Sequence, residues 1–143
     1  MQVFIASDHA GYELKEKLKE KLKNQYEMID LGTNSKESVD YPNFAIILGE
    51  EVVKNAAKGI LICGTGIGMS IACNKVKKIR CAKVDNLEEA KLTRLHNDAN
   101  VIALSSKHDL ENAFNYVVTF LTTPFSMEER HKRRIHEIEE YEN

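Results

Sequence analysis

No apolar run in this 143-residue chain approaches the length needed to span a bilayer, so no membrane-crossing helix is expected. Cysteine is scarce. Cys63, Cys73 and Cys81 are odd in number and form no CxxC pair, so neither a zinc site nor a disulfide framework is indicated. A reducing, cytoplasmic setting is the expectation. The start, MQVFIASDH, lacks a basic region followed by a long apolar stretch and enters a strand at once. No signal peptide is expected. Neither sign of charge dominates: the formal net charge is −2, which provides no drive toward nucleic acid or an anionic membrane. No repeat, low-complexity tract or linker divides the chain. With 43% hydrophobic and 29% charged residues, it reads as one soluble globular domain over 1–143.

Strand and helix patterns alternate along its length. Strands are expected at Gln2–Ala6, Tyr26–Asp30, Gly59–Cys63, Arg80–Val84 and Val101–Leu104. Between them lie helical patterns. Gly11–Asn24 carries a Leu14, Leu18 and Leu22 stripe. A helix opening near Pro42 runs to about Asn55, another starts at Gly68–Lys75, and Asp85 or Asn86 can cap Leu87–Leu95. Leu110–Leu121 is a further helix. Regular alternation implies an α/β fold: a single-domain, Rossmann-like three-layer αβα sandwich with a five-stranded parallel sheet.

The most informative stretch is KGILICGTGIGMSIACNK, residues 58–75. A buried strand ends in Cys63, and Gly64, Thr65, Gly66, Ile67 and Gly68 follow before the next helix. Glycines let the backbone approach a ligand, and the first N–H groups of a helix lack intrahelical partners. Such a loop favours a phosphate or a developing oxyanion. No Gly-Lys-Ser/Thr closes it as in a Walker loop, and Met69 stands where a full GxGxxG needs its last glycine. A thiol beside an anion-friendly loop points to chemistry, although Cys63 also suits a small buried hydrophobe.

Ligands of parallel sheets bind outside the carboxyl ends of the strands. Ser7-Asp8-His9, the Cys63 loop and Ser105-Ser106-Lys107 follow strands one, three and five, and the fourth helix ends near His96-Asn97-Asp98. All are expected at one edge of the fold. Ser126 and Glu129 fit a capping box, so a helix over about 126–141 is expected. Its bases come first and its acids last, against the helix dipole. Arg130 and Arg134 are four apart on one face, which suits a phosphate clamp. Cys73 and Cys81 read as packed thiols, Met69 as packing under the loop, and His108, His131 and His136 as surface histidines.

These pieces together resemble the ribose-5-phosphate isomerase B family, within the wider group that includes galactose-6-phosphate isomerase subunits. The blocks that carry the resemblance are Ser7–Gly11, Asp40-Tyr41-Pro42, Cys63–Gly68, Asn74-Lys75, Ile79-Arg80, His96–Asn100 and Arg130–Arg134. The resemblance implies an aldose–ketose isomerase without metal or organic cofactor. It would interconvert ribose 5-phosphate and ribulose 5-phosphate through an enediol(ate). It also implies a homodimer or dimer of dimers with shared sites, the C-terminal helix packing on a partner subunit. By the same resemblance Cys63 is the proton-transferring base, His96 assists furanose opening, and Thr65 moves protons between sugar oxygens. Gly64, Gly66, Ile67 and Gly68 belong to the loop that holds the oxyanion. Asp8, His9, Tyr41 and Asn97 match sugar-binding positions, and Arg130 and Arg134 phosphate-binding ones. Glu128 and Glu129 replace a common Gly-Gly pair, and Lys107 stands where Gly and Arg are often found.

The chemistry is consistent with these residue types. Moving a proton between C2 and C1 needs one base that accepts and returns it. A thiol with an ordinary pKa near ~8.5 needs its thiolate favoured locally. The helix start and a protonated His9 or His96 would do so. An imidazole titrating near neutrality suits ring opening. Galactose 6-phosphate and allose 6-phosphate remain alternative substrates. A nucleotide-binding module of similar fold, with Cys63 incidental, is the alternative of another class.

Overall fold

The computed structural model describes residues 1–143. Five strands alternate with helices in the order β1 (Gln2–Ser7), α1 (Tyr12–Leu22), β2 (Glu27–Asp30), α2 (Tyr41–Asn55), β3 (Lys58–Cys63), α3 (Ile67–Cys73), β4 (Cys81–Lys83), α4 (Leu87–Leu95), β5 (Val101–Ser105) and α5 (Leu110–Thr122). A last helix, α6 (Glu129–Glu142), follows. All strand pairs are parallel, in the order β2-β1-β3-β5-β4. The expected three-layer sandwich is therefore present. No helix is long and apolar enough to cross a membrane.

Side-chain parity sorts the core into two halves, because successive strand residues point to opposite faces. Val3, Ile5, Ile60, Ile62, Ile102 and Leu104 meet α1, α4 and α5. Phe4, Ala6, Leu61, Cys63, Val101 and Ala103 meet α2 and α3. Both faces are apolar, so the inner strands read as continuous hydrophobic runs. The Leu14, Leu18 and Leu22 stripe is buried as its spacing requires. The Asn86 side chain accepts the Glu89 N–H at 2.8 Å, which settles the cap of α4, and Asp109 caps α5 in the same way.

The C-terminal helix starts later than its capping box implies. The Ser126 N–H is given to the Leu95 carbonyl, and Met127 sits at φ +65°, outside helical geometry. Ser126 Oγ instead accepts the Glu128 N–H at 3.4 Å, and α6 begins at Glu129 without a side-chain cap.

Sequence pattern does not announce Lys15, whose side chain is fully buried on α1. Its ammonium lies 2.5 Å from Asp30 Oδ2 and 2.9 Å from Glu16. Lys19 reaches the same Asp30 oxygen at 2.6 Å, and the Gly32 N–H donates to Asp30 Oδ1 at 2.8 Å. Burial alone would raise the Asp30 pKa. The two lysines and the Gly32 N–H together outweigh it and hold the carboxyl below its usual value. Asp30 thereby locks α1 onto the end of β2.

Asp30→Asn removes the closer of the two carboxylates on a buried ammonium, and loss of one member of such a pair costs about 3 kcal/mol. Urea unfolding at neutral pH should show that loss. The ionised Asp30 stabilises the fold above the usual carboxylate range, and this contribution fades as pH falls through its lowered folded value. The stability gap between wild type and Asp30→Asn should therefore narrow in acid.

Candidate active site

The Cys63 thiol ends β3 and is 5% exposed. The Gly66 N–H donates to its sulfur at 3.1 Å, a bond that a thiolate accepts more strongly than a thiol. Gly66 can do this because it sits at φ +80° against the end of β5. A Cβ there would lie 3.0 Å from the Leu104 carbonyl carbon, so only glycine fits. Ser105, at the tip of β5, pins the loop from below. Its Oγ donates to the Gly64 carbonyl at 2.8 Å and accepts the Lys107 N–H at 3.1 Å, while the Ser106 N–H donates to the Cys63 carbonyl at 2.9 Å.

Thr65 Oγ1 accepts the Ile67 N–H at 3.1 Å. The N–H groups of Gly64, Thr65 and Gly68 have no partner inside the protein. A Cβ built on Gly64 would meet nothing within 4 Å, so the space in front of the loop is open. A fixed backbone therefore presents unpaired donors to an open space beside a thiol. Such an arrangement can receive a negative oxygen that develops during proton transfer.

Three further expected residues gather here. The first is Tyr41, which opens α2 with its ring against the loop. A Cβ on Gly68 would come within 2.6 Å of the Tyr41 Cζ. Asp8 follows β1 and turns the chain into α1, its Oδ1 accepting the Gly11 N–H at 3.0 Å. His9 Nδ1 accepts the Val39 N–H at 3.2 Å, which leaves Nε2 to carry the proton of the neutral ring. Asp8, His9 and Tyr41 line one hollow of about 450 Å³. Lys107 sits exposed at this edge, with no carboxylate paired to it.

His96 and Asn97 are elsewhere, and here the expectation of a single edge is corrected. Helices of a parallel sheet run back against the strands, so the end of α4 lies at the amino edge. The Gly59 N–H, at the start of β3, donates to the Asn100 carbonyl at 2.9 Å. Gly59 pairs with Val101, and Cys63 with Ser105. Four residues of strand, about 13 Å, therefore separate the two edges. At the amino edge the His96–Asn100 turn is held by two arginines. Arg80 Nε donates to the Asn97 and Asp98 carbonyls at 2.9 and 3.1 Å, and Arg94 donates to Asp98 Oδ1 and the Ala99 carbonyl, both at 2.7 Å.

The C-terminal helix α6 lies at this same amino edge. Glu139 reaches Arg80 at 3.4 Å, and Glu142 accepts the Lys78 N–H at 3.1 Å. Arg130 is 3.6 Å from Glu128 Oε2, and Arg134 lines a hollow with Asn74, Lys75 and Lys77. The reading of His131 as a surface residue is also corrected. Its ring is 6% exposed and stacks on His96, with centroids 4.4 Å apart and planes 21° apart. Its Nε2 is 3.1 Å from Glu128 Oε2 but off the direction of a hydrogen bond, and stays unpaired. Desolvation leads the causes that lower its pKa; Arg130, His96 and Arg134 add to it, and Glu128 opposes. The ring is covered by these few neighbours at the rim of the molecule, not by the deep core. Nothing in the spacing of residues 126–136 signalled the stack, which depends on where α6 docks.

Cys73, at the end of α3, and Cys81, at the start of β4, are buried as expected, and Met69 is buried in the same half of the core. The Cys73 thiol, then burial, pushes the Cys81 thiol well above its ordinary value, which leaves it inert. No group of three or more His, Cys, Asp or Glu side chains converges as a metal site.

Residues 3–138 match the profile of a family described as Ribose/Galactose Isomerase. The chain is 40% identical to ribose-5-phosphate isomerase B of Mycobacterium tuberculosis, over 99% of this chain and 90% of that protein. Among solved structures, ribose-5-phosphate isomerase B of Clostridium thermocellum superposes with a TM-score of 0.95 at 45% identity, covering 99% of this chain and 97% of the other. The Mycoplasma genitalium enzyme, solved with bound ribulose-5-phosphate, gives a TM-score of 0.93 at 43% identity, covering 99% and 95%.

The depressed His131 pKa has a consequence for stability. Below about pH 6.5 the unfolded chain takes up a proton that folded His131 resists, so stability falls with pH in that range. His131→Phe keeps a flat ring on His96 without a titrating group. Thermal melts at about pH 5.5 and 7.5 should show a smaller acid loss in His131→Phe than in wild type.

Proposed function

The chain belongs to the Ribose/Galactose Isomerase family, and on that premise we propose that it interconverts ribose 5-phosphate and ribulose 5-phosphate in sites built from two copies of the chain. One observation carries the two-copy reading. Cys63 and its loop occupy the carboxyl edge of the sheet, while His96, Asn97, Arg130 and Arg134 occupy the amino edge. A small sugar phosphate cannot touch both edges of one chain through a packed sheet. A second copy turned end for end supplies the missing half.

The surface provides a place for that copy. Ile67 and Ile71 are about half exposed on α3, one turn apart. Two α3 helices packed antiparallel about a two-fold axis would bury both isoleucines of each. The same operation sets the glycine loop of one chain opposite the α3 end and α6 of the other. The working unit in this reading is a homodimer, or a dimer of dimers.

In that site Cys63 takes the proton from C2 of the open aldose and returns it to C1. The negative oxygen of the enediolate is received by the unpaired N–H groups of Gly64, Thr65 and Gly68. The Thr65 hydroxyl moves the proton between the sugar oxygens. Asp8, His9 and Tyr41 wall the sugar on the side of the loop. From the other subunit, His96 exchanges a proton with the ring oxygen so that the furanose opens, and Asn97 binds the sugar. Arg130 and Arg134 hold the phosphate, with Lys107 adding charge at the rim. The ring stack with His131 keeps the His96 imidazole oriented.

Cys63→Ala should lower kcat about 10²- to 10⁴-fold, the usual worth of a positioned base, with the fold intact by circular dichroism. Arg134→Ala should mainly raise KM for ribose 5-phosphate. When the two chains are mixed, allowed to exchange and assayed at ribose 5-phosphate far below the raised KM, where Arg134→Ala alone turns over little, half the dimers are hybrids with one intact site each. About a quarter of wild-type activity should return. No recovery despite demonstrated exchange would place both residues in one chain's pocket or outside the site.

A further inference from the structure

The cations of this protein fall into two groups. Lys15, Lys19, Arg80 and Arg94 each have a carboxylate oxygen within 4.0 Å. Lys75, Lys77 and Arg134 are among those with none, and these three converge on one hollow of about 840 Å³ beside α6. Two carboxylates share the hollow. Glu142 also accepts the Lys78 N–H, at 3.1 and 3.2 Å, and keeps its charge, so three cations face two carboxylates and the hollow stays net positive.

Lys75 has a second distinguishing position. Residues 67, 71 and 75 are spaced four apart, so Lys75 continues the exposed Ile67–Ile71 stripe. Its N–H donates to the Ala72 carbonyl at 3.1 Å, which carries the last turn of α3 through to it. In the antiparallel α3 pairing proposed above, Lys75 would lie against the Ile67 end of the other subunit, beside the glycine loop. Lys77 lies beyond the helix and off this stripe.

We propose that Lys75 is a third phosphate-binding cation, acting with Arg134 across the subunit boundary on the substrate of the other chain's loop. The proposal rests on the isomerase reading above. A phosphate dianion held by arginines beside Glu128 and Glu137 needs further positive charge. Lys75 supplies it as a mobile ammonium, which follows the phosphate as the chain of the sugar straightens after ring opening.

The test compares wild type with Lys75→Ala, Lys75→Arg and a surface control, Lys91→Ala. It measures kcat and KM for ribose 5-phosphate, and the affinity of inorganic phosphate by calorimetry. Lys75→Ala should weaken both KM and phosphate affinity about tenfold, the worth of one charge-assisted contact, with kcat within about twofold. Lys75→Arg should recover most of the loss, and Lys91→Ala should change neither. Sedimentation should show the assembly unchanged in every variant. Phosphate affinity of Lys75→Ala within about twofold of wild type overturns the proposal. So does dissociation of that variant, since Lys75 would then hold subunits together. If the wild type does not turn over ribose 5-phosphate, the isomerase reading falls by itself. The phosphate titration needs no turnover and still decides the role of Lys75.

Discussion

Strand direction is the constraint on which the rest depends. In a parallel sheet each helix must carry the chain back to the edge where the next strand begins. Every residue just after a strand is thereby separated from every residue just after a helix by the length of the sheet. Cys63 belongs to the first class, and His96, Asn97 and Lys75 to the second. The long return helix α6 joins the second class because it docks on Arg80 and His96. In the proposed reading each edge displays half of a site, and two-fold symmetry is the simplest operation that joins the halves.

The carboxyl-edge half is built for rigidity. Its donors are backbone N–H groups on a loop that Ser105 holds from below, Tyr41 covers at Gly68 and Leu104 contacts at Gly66. Each contact tolerates little change, so the loop would keep its shape if charge developed in front of it. Electrostatic stabilisation of this kind works because the dipoles are already in place and need not reorganise. The amino-edge half is built from side chains at the rim, with Arg80 and Arg94 spent on the turn that carries His96 and Asn97. Those two arginines position; Arg130 and Arg134, on the surface of α6, remain available to bind.

Charge is distributed along the same division. Lys15 is fully buried yet matched by Asp30, and the pair joins α1 to the end of β2. Desolvating an ammonium this way is tolerable only with a close counter-charge. At the other end of the molecule, Lys75 and Arg134 keep their charges exposed and unmatched. In a chain of net charge −2, unmatched cations gathered in one hollow are the part of the surface that an anion would find first.

Periodicity and turn residues were enough to determine the alternation of strands and helices, because both report local geometry. The Leu14–Leu18–Leu22 stripe, the Asn86 cap and the apolar strands all lie where their spacing placed them. The glycine loop after Cys63 was legible for the same reason: three glycines at a strand end define a backbone shape. The start of α6 departs from its local pattern, since the Ser126 amide is claimed by Leu95, some thirty residues away. The burial of Lys15, the His96–His131 stack and the separation of Cys63 from His96 were decided only by the tertiary structure. Each depends on how elements distant in sequence meet, and no local pattern encodes that meeting.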